Sequence, residues 1–117
     1  MAKILTVDDS GFIRTILKNI LQEAGYTEII EAETGKEGIE QYNREKPDLV
    51  LLDMILPDMN GLDVLKALNK GGAKVCMVTA VGQDEMITKA KVAGAEDYVT
   101  KPFDKETILA VVARNLK

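Results

Sequence analysis

Histidine is absent from the chain, which removes His-based acid/base catalysis, Ser-His-Asp triads and histidine metal sites. Whatever chemistry takes place must use carboxylates, lysine and hydroxyls. Cysteine occurs once, at Cys76. It can form no internal disulfide, and its place in an apolar run reads as that of a small core residue. There is no block of Lys and Arg, and the net charge is −4, so the basic surface that non-specific nucleic-acid binding needs is missing. No nucleic-acid partner is expected. Nor does any apolar run approach the roughly 20 residues of a membrane span. The segment Met1-Ala2-Lys3-Ile4 leads into a short apolar stretch with neither a signal-peptide h-region nor a cleavage site. A cytoplasmic protein with no membrane association is the expectation. Internal repeats, linkers and low-complexity segments are also missing.

The chain does have 117 residues, 46% of them hydrophobic and 29% charged, a composition of soluble globular proteins. That length suits a single domain spanning residues 1–117, which would remove roughly two thirds of its unfolded surface from water.

Short apolar runs alternate with longer amphipathic ones. Ile4 to Val7, Ile29 to Ile30, Leu49 to Leu52, Val75 to Val78 and Tyr98 to Val99 are the candidate strands. Between the first two, Phe12, Ile13, Ile16, Leu17, Ile20, Leu21 and Ala24 recur at helical spacing, and Gly25 supplies a stop. Thr34 with Glu37 predicts a capping box opening a second helix, although Gly35 and Gly38 lie inside it. Leu62, Leu65 and Leu68 mark one face of a third, and Met86, Ile87, Ala90 and Ala93 stripe a fourth before Gly94. Ile108, Leu109, Val112 and Leu116 stripe a fifth, with Asp104 as its N-cap. Five β-α units in alternation predict an α/β fold, a doubly wound (βα)5 sandwich with a five-stranded parallel sheet. In such sheets the binding crevice lies beyond the carboxyl ends of the strands, where strand order reverses.

The residues that follow the strands therefore decide the chemistry. They are Asp8-Asp9 after the first, Asp53 after the third, Thr79 after the fourth and Lys101-Pro102 after the fifth. Taken singly each has a bland reading: Asp8 or Asp9 as cap of the first helix, Thr79 as cap of the fourth, Lys101 as a solvated surface lysine. Taken together, four of five strands ending in polar groups of complementary type are hard to explain as capping. Three converging carboxylates repel by about 4 kcal/mol per pair near 4 Å at an effective dielectric of 20, so the cluster needs a cation. Oxygen-only ligands favour Mg²⁺, which keeps several waters and awaits phosphate oxygens. A carboxylate can attack phosphorus, and a metal with a lysine ammonium can neutralise the oxygens in the transition state. Asp53 ends the presumed central strand and is the preferred nucleophile; Asp8-Asp9 suits metal binding better.

Val7-Asp8-Asp9-Ser10, Leu51-Leu52-Asp53 with Pro57 and Asn60-Gly61, Val78-Thr79-Ala80, and Gly94-Ala95 through Tyr98 to Lys101-Pro102-Phe103 resemble the response-regulator receiver family across the whole chain. Asp9-Ser10-Gly11-Phe12-Ile13-Arg14 and Thr79-Ala80-Val81-Gly82-Gln83 are similar in particular to its stand-alone chemotaxis members. The resemblance implies the flavodoxin-like strand order 2-1-3-4-5 and a set of roles. Asp53 is the phosphoacceptor, served by a sensor histidine kinase, in chemotaxis a chemotaxis kinase. Asp9 and Asp53 bind Mg²⁺ directly and Asp8 through water, while the backbone carbonyl of Ile55 fills a further ligand position. Lys101 pairs with the aspartate and then with the phosphoryl oxygens, Thr79 moves to bond the phosphoryl group, and Tyr98 is the rotating switch. The Lys101-Pro102 peptide is implied to be cis. The read-out surface is the fourth-helix to fifth-helix face of a monomer. Its partners would be a downstream protein target such as a motor switch component, or a phosphatase. The family members are switches that assist their own phosphorylation and dephosphorylation, not turnover enzymes.

Ile55 and Val81 are apolar where related chemotaxis proteins often carry polar residues that can orient an attacking water, so slow self-dephosphorylation is expected. Three other readings are open. A haloacid-dehalogenase-type phosphohydrolase would need a second Asp where Ile55 stands, and a cap domain. In a flavodoxin-like cofactor module, Asp8-Asp9 would repel the phosphate its first loop must cradle. The third is a phosphorelay intermediate that hands its phosphoryl group to a histidine phosphotransfer protein.

Overall fold

Strand positions that are apolar on consecutive residues leave no face for water, and the chain meets that demand with helices on both sides of one sheet. The computed structural model describes residues 2–116. Its elements are β1 (Lys3–Val7), α1 (Gly11–Glu23), β2 (Glu28–Ala32), α2 (Gly35–Glu45), β3 (Leu49–Leu52), α3 (Gly61–Lys70), β4 (Val75–Thr79), α4 (Asp84–Val92), β5 (Asp97–Thr100) and α5 (Lys105–Asn115). The strands form one parallel sheet in the order β2-β1-β3-β4-β5, as the resemblance implied. Every residue of β3 and β4 is buried, whereas the edge strands β2 and β5 are largely half-exposed. Side chains alternate between two cores. Leu5, Val7, Val50, Leu52 and Met77 pack against α2, α3 and α4, and Ile4, Leu49, Leu51, Cys76 and Val78 against α1 and α5.

The strand order reverses between β1 and β3, and backbone hydrogen bonds carry the sheet past the formal ends of several strands. The Asp8 amide donates to the Ala32 carbonyl at 3.1 Å, the Asp53 amide to Val7 at 2.9 Å, and the Lys101 amide to Thr79 at 2.8 Å. Residues at the strand ends are thereby held in register with the core below them.

Two helices depart from their expected faces. In α1 the buried positions are Arg14, Leu17 and Leu21; Phe12 is 74% exposed and Ala24 is exposed as well. The stripe is rotated toward Arg14 because a buried guanidinium there finds partners on β2. In α4 the stripe is thin, with Ala90 its one buried residue. The glycines inside α2 have a steric reason: a Cβ on Gly38 would lie 3.0 Å from both methyls of Val7, so glycine lets the helix approach β1. Thr34 caps α2 through the Glu37 amide at 3.0 Å. The return bond from Glu37 goes to the Glu33 amide at 3.0 Å, one residue before the usual capping-box partner. No helix among the described residues is long and apolar enough to cross a membrane.

Candidate functional site

The capping readings of the strand-end residues do not hold, because neither the Asp8-Asp9 pair nor Thr79 caps the helix that follows it. Ser10 Oγ accepts the Ile13 amide at 3.2 Å and opens α1. Gln83 precedes α4 and makes no side-chain cap. Asp8, Asp53 and Thr79 lie buried at the strand ends, 3%, 7% and 0% exposed respectively.

Asp8, Asp9 and Asp53 each present a carboxylate oxygen, all within 4.8 Å of one another. Asp8 and Asp53 are buried and Asp9 is exposed, so the trio opens outward on one side. Lys101 lies across the buried pair: its Nζ donates to Asp8 Oδ2 at 2.7 Å and to Asp53 Oδ2 at 3.0 Å. Burial works against the charged ammonium, but the hydrogen bonds to Asp8 and then Asp53, with the fields of both carboxylates, win and hold its pKa above the ordinary lysine value. Lys101 is thus a fixed cation in the resting site. The second oxygen of each buried carboxylate is bound to backbone: Asp8 Oδ1 accepts the Ser10 amide at 2.9 Å, and Asp53 Oδ1 the Ile55 amide at 3.2 Å. The Lys101-Pro102 peptide is cis.

Oxygen donors converging from three carboxylates, with no thiolate or imidazole among them, fit a hard divalent cation such as Mg²⁺. An octahedral Mg²⁺ holds opposite ligands roughly 4.2 Å apart, close to the spread of this trio. Both oxygens of Asp8 and of Asp53 already have partners, which leaves the exposed Asp9 carboxylate the freest of the three for direct contact.

Thr79 and Tyr98 meet through one residue. The Val81 amide donates to Thr79 Oγ1 at 3.4 Å, and the Tyr98 hydroxyl donates to the Val81 carbonyl. Burial pushes the Tyr98 hydroxyl pKa up, and the Asp53 charge adds to that. Ile55 lies on the rim, 62% exposed and bridged to Asn60 through the backbone. The expected site residues therefore gather at one edge of the sheet.

Sequence reasoning gave no role to three residues that shape this edge. Gly61 approaches so closely that a Cβ would stand 2.5 Å from the Asp53 carbonyl oxygen and the Met54 Cα. Asp58 turns back to accept the Gly35 and Lys36 amides at 2.8 and 2.9 Å; those of Lys36 and then Gly35 hold its carboxyl below the usual range. Arg14 is buried and donates to the Asp8 carbonyl at 2.5 Å. Its signal was legible in part, since Arg14, Leu17 and Leu21 share one helical stripe. A charge on a buried stripe demands acceptors, but which carboxylates supply them depends on the fold.

Comparison with known proteins agrees with this geometry. The family model described as the response regulator receiver domain matches residues 4–113. The chain is 39% identical over 119 residues to the chemotaxis protein CheY of Listeria monocytogenes, covering all of both chains. Chemotaxis protein CheY4 of Vibrio cholerae superposes with a TM-score of 0.91 at 33% identity, over 99% of each chain. The CheY of the CheX-CheY-BeF3-Mg²⁺ complex from Borrelia burgdorferi does so with a TM-score of 0.92 at 29% identity, over 97% of this chain and 87% of that one. The chain belongs to the response regulator receiver domain family, and within it is CheY-like, with chemotaxis proteins among its relatives.

Proposed function

We propose that this chain is a single receiver domain that works as a Mg²⁺-dependent phosphorylation switch, with Asp53 as the phosphoacceptor. The observation that carries the reading is the buried Asp53 carboxylate, packed within 4.8 Å of two further carboxylates and bonded to Lys101 at 3.0 Å. In the transfer an Asp53 oxygen attacks the phosphorus of a kinase phosphohistidine. An O–P bond forms and the N–P bond breaks, its electron pair passing to the ring nitrogen; the other nitrogen carries a proton, so the imidazole leaves neutral. Mg²⁺, held by Asp9 and Asp53 with the Ile55 carbonyl, and by Asp8 through water, would neutralise the phosphoryl oxygens. Lys101, already aimed at Asp53, transfers one of its hydrogen bonds to the phosphoryl group.

The same geometry supports a route outward. When Thr79 Oγ1 turns to the phosphoryl group, the Val81 amide loses its acceptor, and the Val81 carbonyl that holds the Tyr98 hydroxyl moves with it. Tyr98 repacks, and the α4-β5-α5 face changes shape. A ligand that prefers the new face then shifts the population of states. The partners are a chemotaxis histidine kinase and a protein target in the cytoplasm, or a phosphatase: the Borrelia burgdorferi relative is in complex with CheX. Such a domain is a switch and not a turnover enzyme.

The test is intact mass after incubation with acetyl phosphate and Mg²⁺. The wild type is expected to gain one phosphoryl group, and Asp53→Asn and a chelated control none. A gain that survives Asp53→Asn would move the acceptor to another residue.

A further inference from the structure

Asp8 and Asp9 are neighbours with opposite constraints. Every polar group of Asp8 is occupied: its amide by Ala32, its carboxylate by Ser10 and Lys101, its carbonyl by Arg14. Asp9 is exposed, and no hydrogen bond or ion pair to another described residue holds its carboxylate. A free carboxylate would lose side-chain entropy on capturing a cation, so its direction of approach must come from the backbone. The carbonyl of Asp8 and the amide of Asp9 belong to one planar unit. Whatever holds that carbonyl fixes the peptide plane from which the Asp9 side chain departs.

Arg14 is the group that holds it. The guanidinium is a rigid planar fork, and its other arms reach across to the edge of the sheet. Nε donates to Glu31 Oε1 at 2.9 Å, and Nη2 to Glu33 Oε1 at 3.3 Å. Glu31 belongs to β2 and Glu33 follows it, so the Asp8-Asp9 peptide is tied to a strand other than its own. Glu31 and Glu33 also offset the guanidinium charge, so Arg14 can lie close to the acidic trio without occupying it as Lys101 does.

We infer that Arg14 is a positioning residue for the cation site, orienting the Asp8-Asp9 peptide so that the Asp9 carboxylate is aimed before the cation arrives. The inference rests on the Mg²⁺ reading above and extends it to a residue that touches neither metal nor phosphoryl group. Its electrostatic signature is distinctive. Deleting a cation beside three carboxylates should by Coulomb's law alone tighten Mg²⁺ binding, whereas losing the orienting bond should weaken it.

Calorimetric titration of Mg²⁺ into the wild type, Arg14→Met and Arg14→Lys separates the two. Arg14→Met is expected to bind Mg²⁺ about tenfold more weakly, the scale found when a partner that orients a metal ligand is lost. The Mg²⁺ concentration that half-saturates phosphorylation by acetyl phosphate should rise in proportion, with the rate at saturating Mg²⁺ restored. Arg14→Lys keeps the charge but not the fork and should also bind more weakly, by a smaller factor. Unchanged or tighter binding in Arg14→Met overturns the inference. If circular dichroism shows that this variant does not fold, wild-type affinity in Arg14→Lys overturns it instead. A folded wild type that binds no Mg²⁺ overturns the cation site itself, and this inference with it.

Discussion

At the carboxyl ends of β1 and β3, Asp8 and Asp53 have both carboxylate oxygens bonded and are almost wholly buried. On the α4-β5 side the packing is much looser: α4 buries Ala90 alone, Val92 is 84% exposed, and Met86, Ile87 and Tyr98 are half-buried. An element with little buried apolar surface has little to lose when it shifts, so local opening is cheapest there. On the proposed function, a new charge at the tightly bonded centre would have its consequence at this looser edge. The Val81 backbone, bonded to Thr79 on one side and to Tyr98 on the other, connects the two regions.

The contrast is broken most directly at its centre. Lys101→Met leaves Asp8 and Asp53 buried together without their cation, and should slow phosphorylation by acetyl phosphate on the order of a hundredfold, the usual cost of losing a preorganised donor. In chelator the same variant should lose about 3 kcal/mol of stability, read from urea midpoints, because removing one member of a buried ionic group strands the others. Equal rates in variant and wild type would show that the centre is not preorganised by Lys101.

At the rim between the regions, Ile55→Asn with Val81→Glu should shorten the life of the phosphorylated form about tenfold, since either polar group can orient a water. Decay of label after donor removal measures it, and a wild type that decays no more slowly than the variant would exclude an apolar shield. The smallest effect belongs to the edge. On β5, burial works against the Asp97 charge, but Arg114 at 2.7 Å and Asn115 at 2.8 Å prevail and hold its pKa below 3.8. A depressed acid contributes stability above its unfolded pKa and loses it as pH falls through the folded value. Asp97→Asn should therefore cost about 1 kcal/mol at pH 7, as befits a partly exposed pair, and the gap from wild type should close below pH 3.8. A gap that persists in acid would assign the loss to packing.

Periodicity made the alternation of strands and helices legible, and with it the sheet edge where Asp8, Asp9, Asp53, Thr79 and Lys101 meet. That worked because each of these residues ends a strand or follows one within two residues, and parallel strands deliver their ends to one side. The reading failed where a helix face was inferred from apolar residues alone. Phe12 lies outside the stripe that Arg14 enters, since a charged residue becomes a core residue only when carboxylates from elsewhere meet it. Asp58 reaching back to α2 and Gly61 pressed against Asp53 were invisible for a similar reason: each partner is more than five residues away along the chain.

The order of residues along the chain determined on its own that this is an alternating α/β protein with an acidic cluster, a lysine and a hydroxyl at its strand ends, because hydrophobic period and strand polarity are local properties. Only the tertiary structure decided that Lys101 bridges Asp8 and Asp53, that Arg14 holds the Asp8 carbonyl, and that Val81 joins Thr79 to Tyr98. Hydrogen bonds of that kind depend on tenths of an ångström between elements far apart in sequence, and distances that fine are set only once both cores have packed.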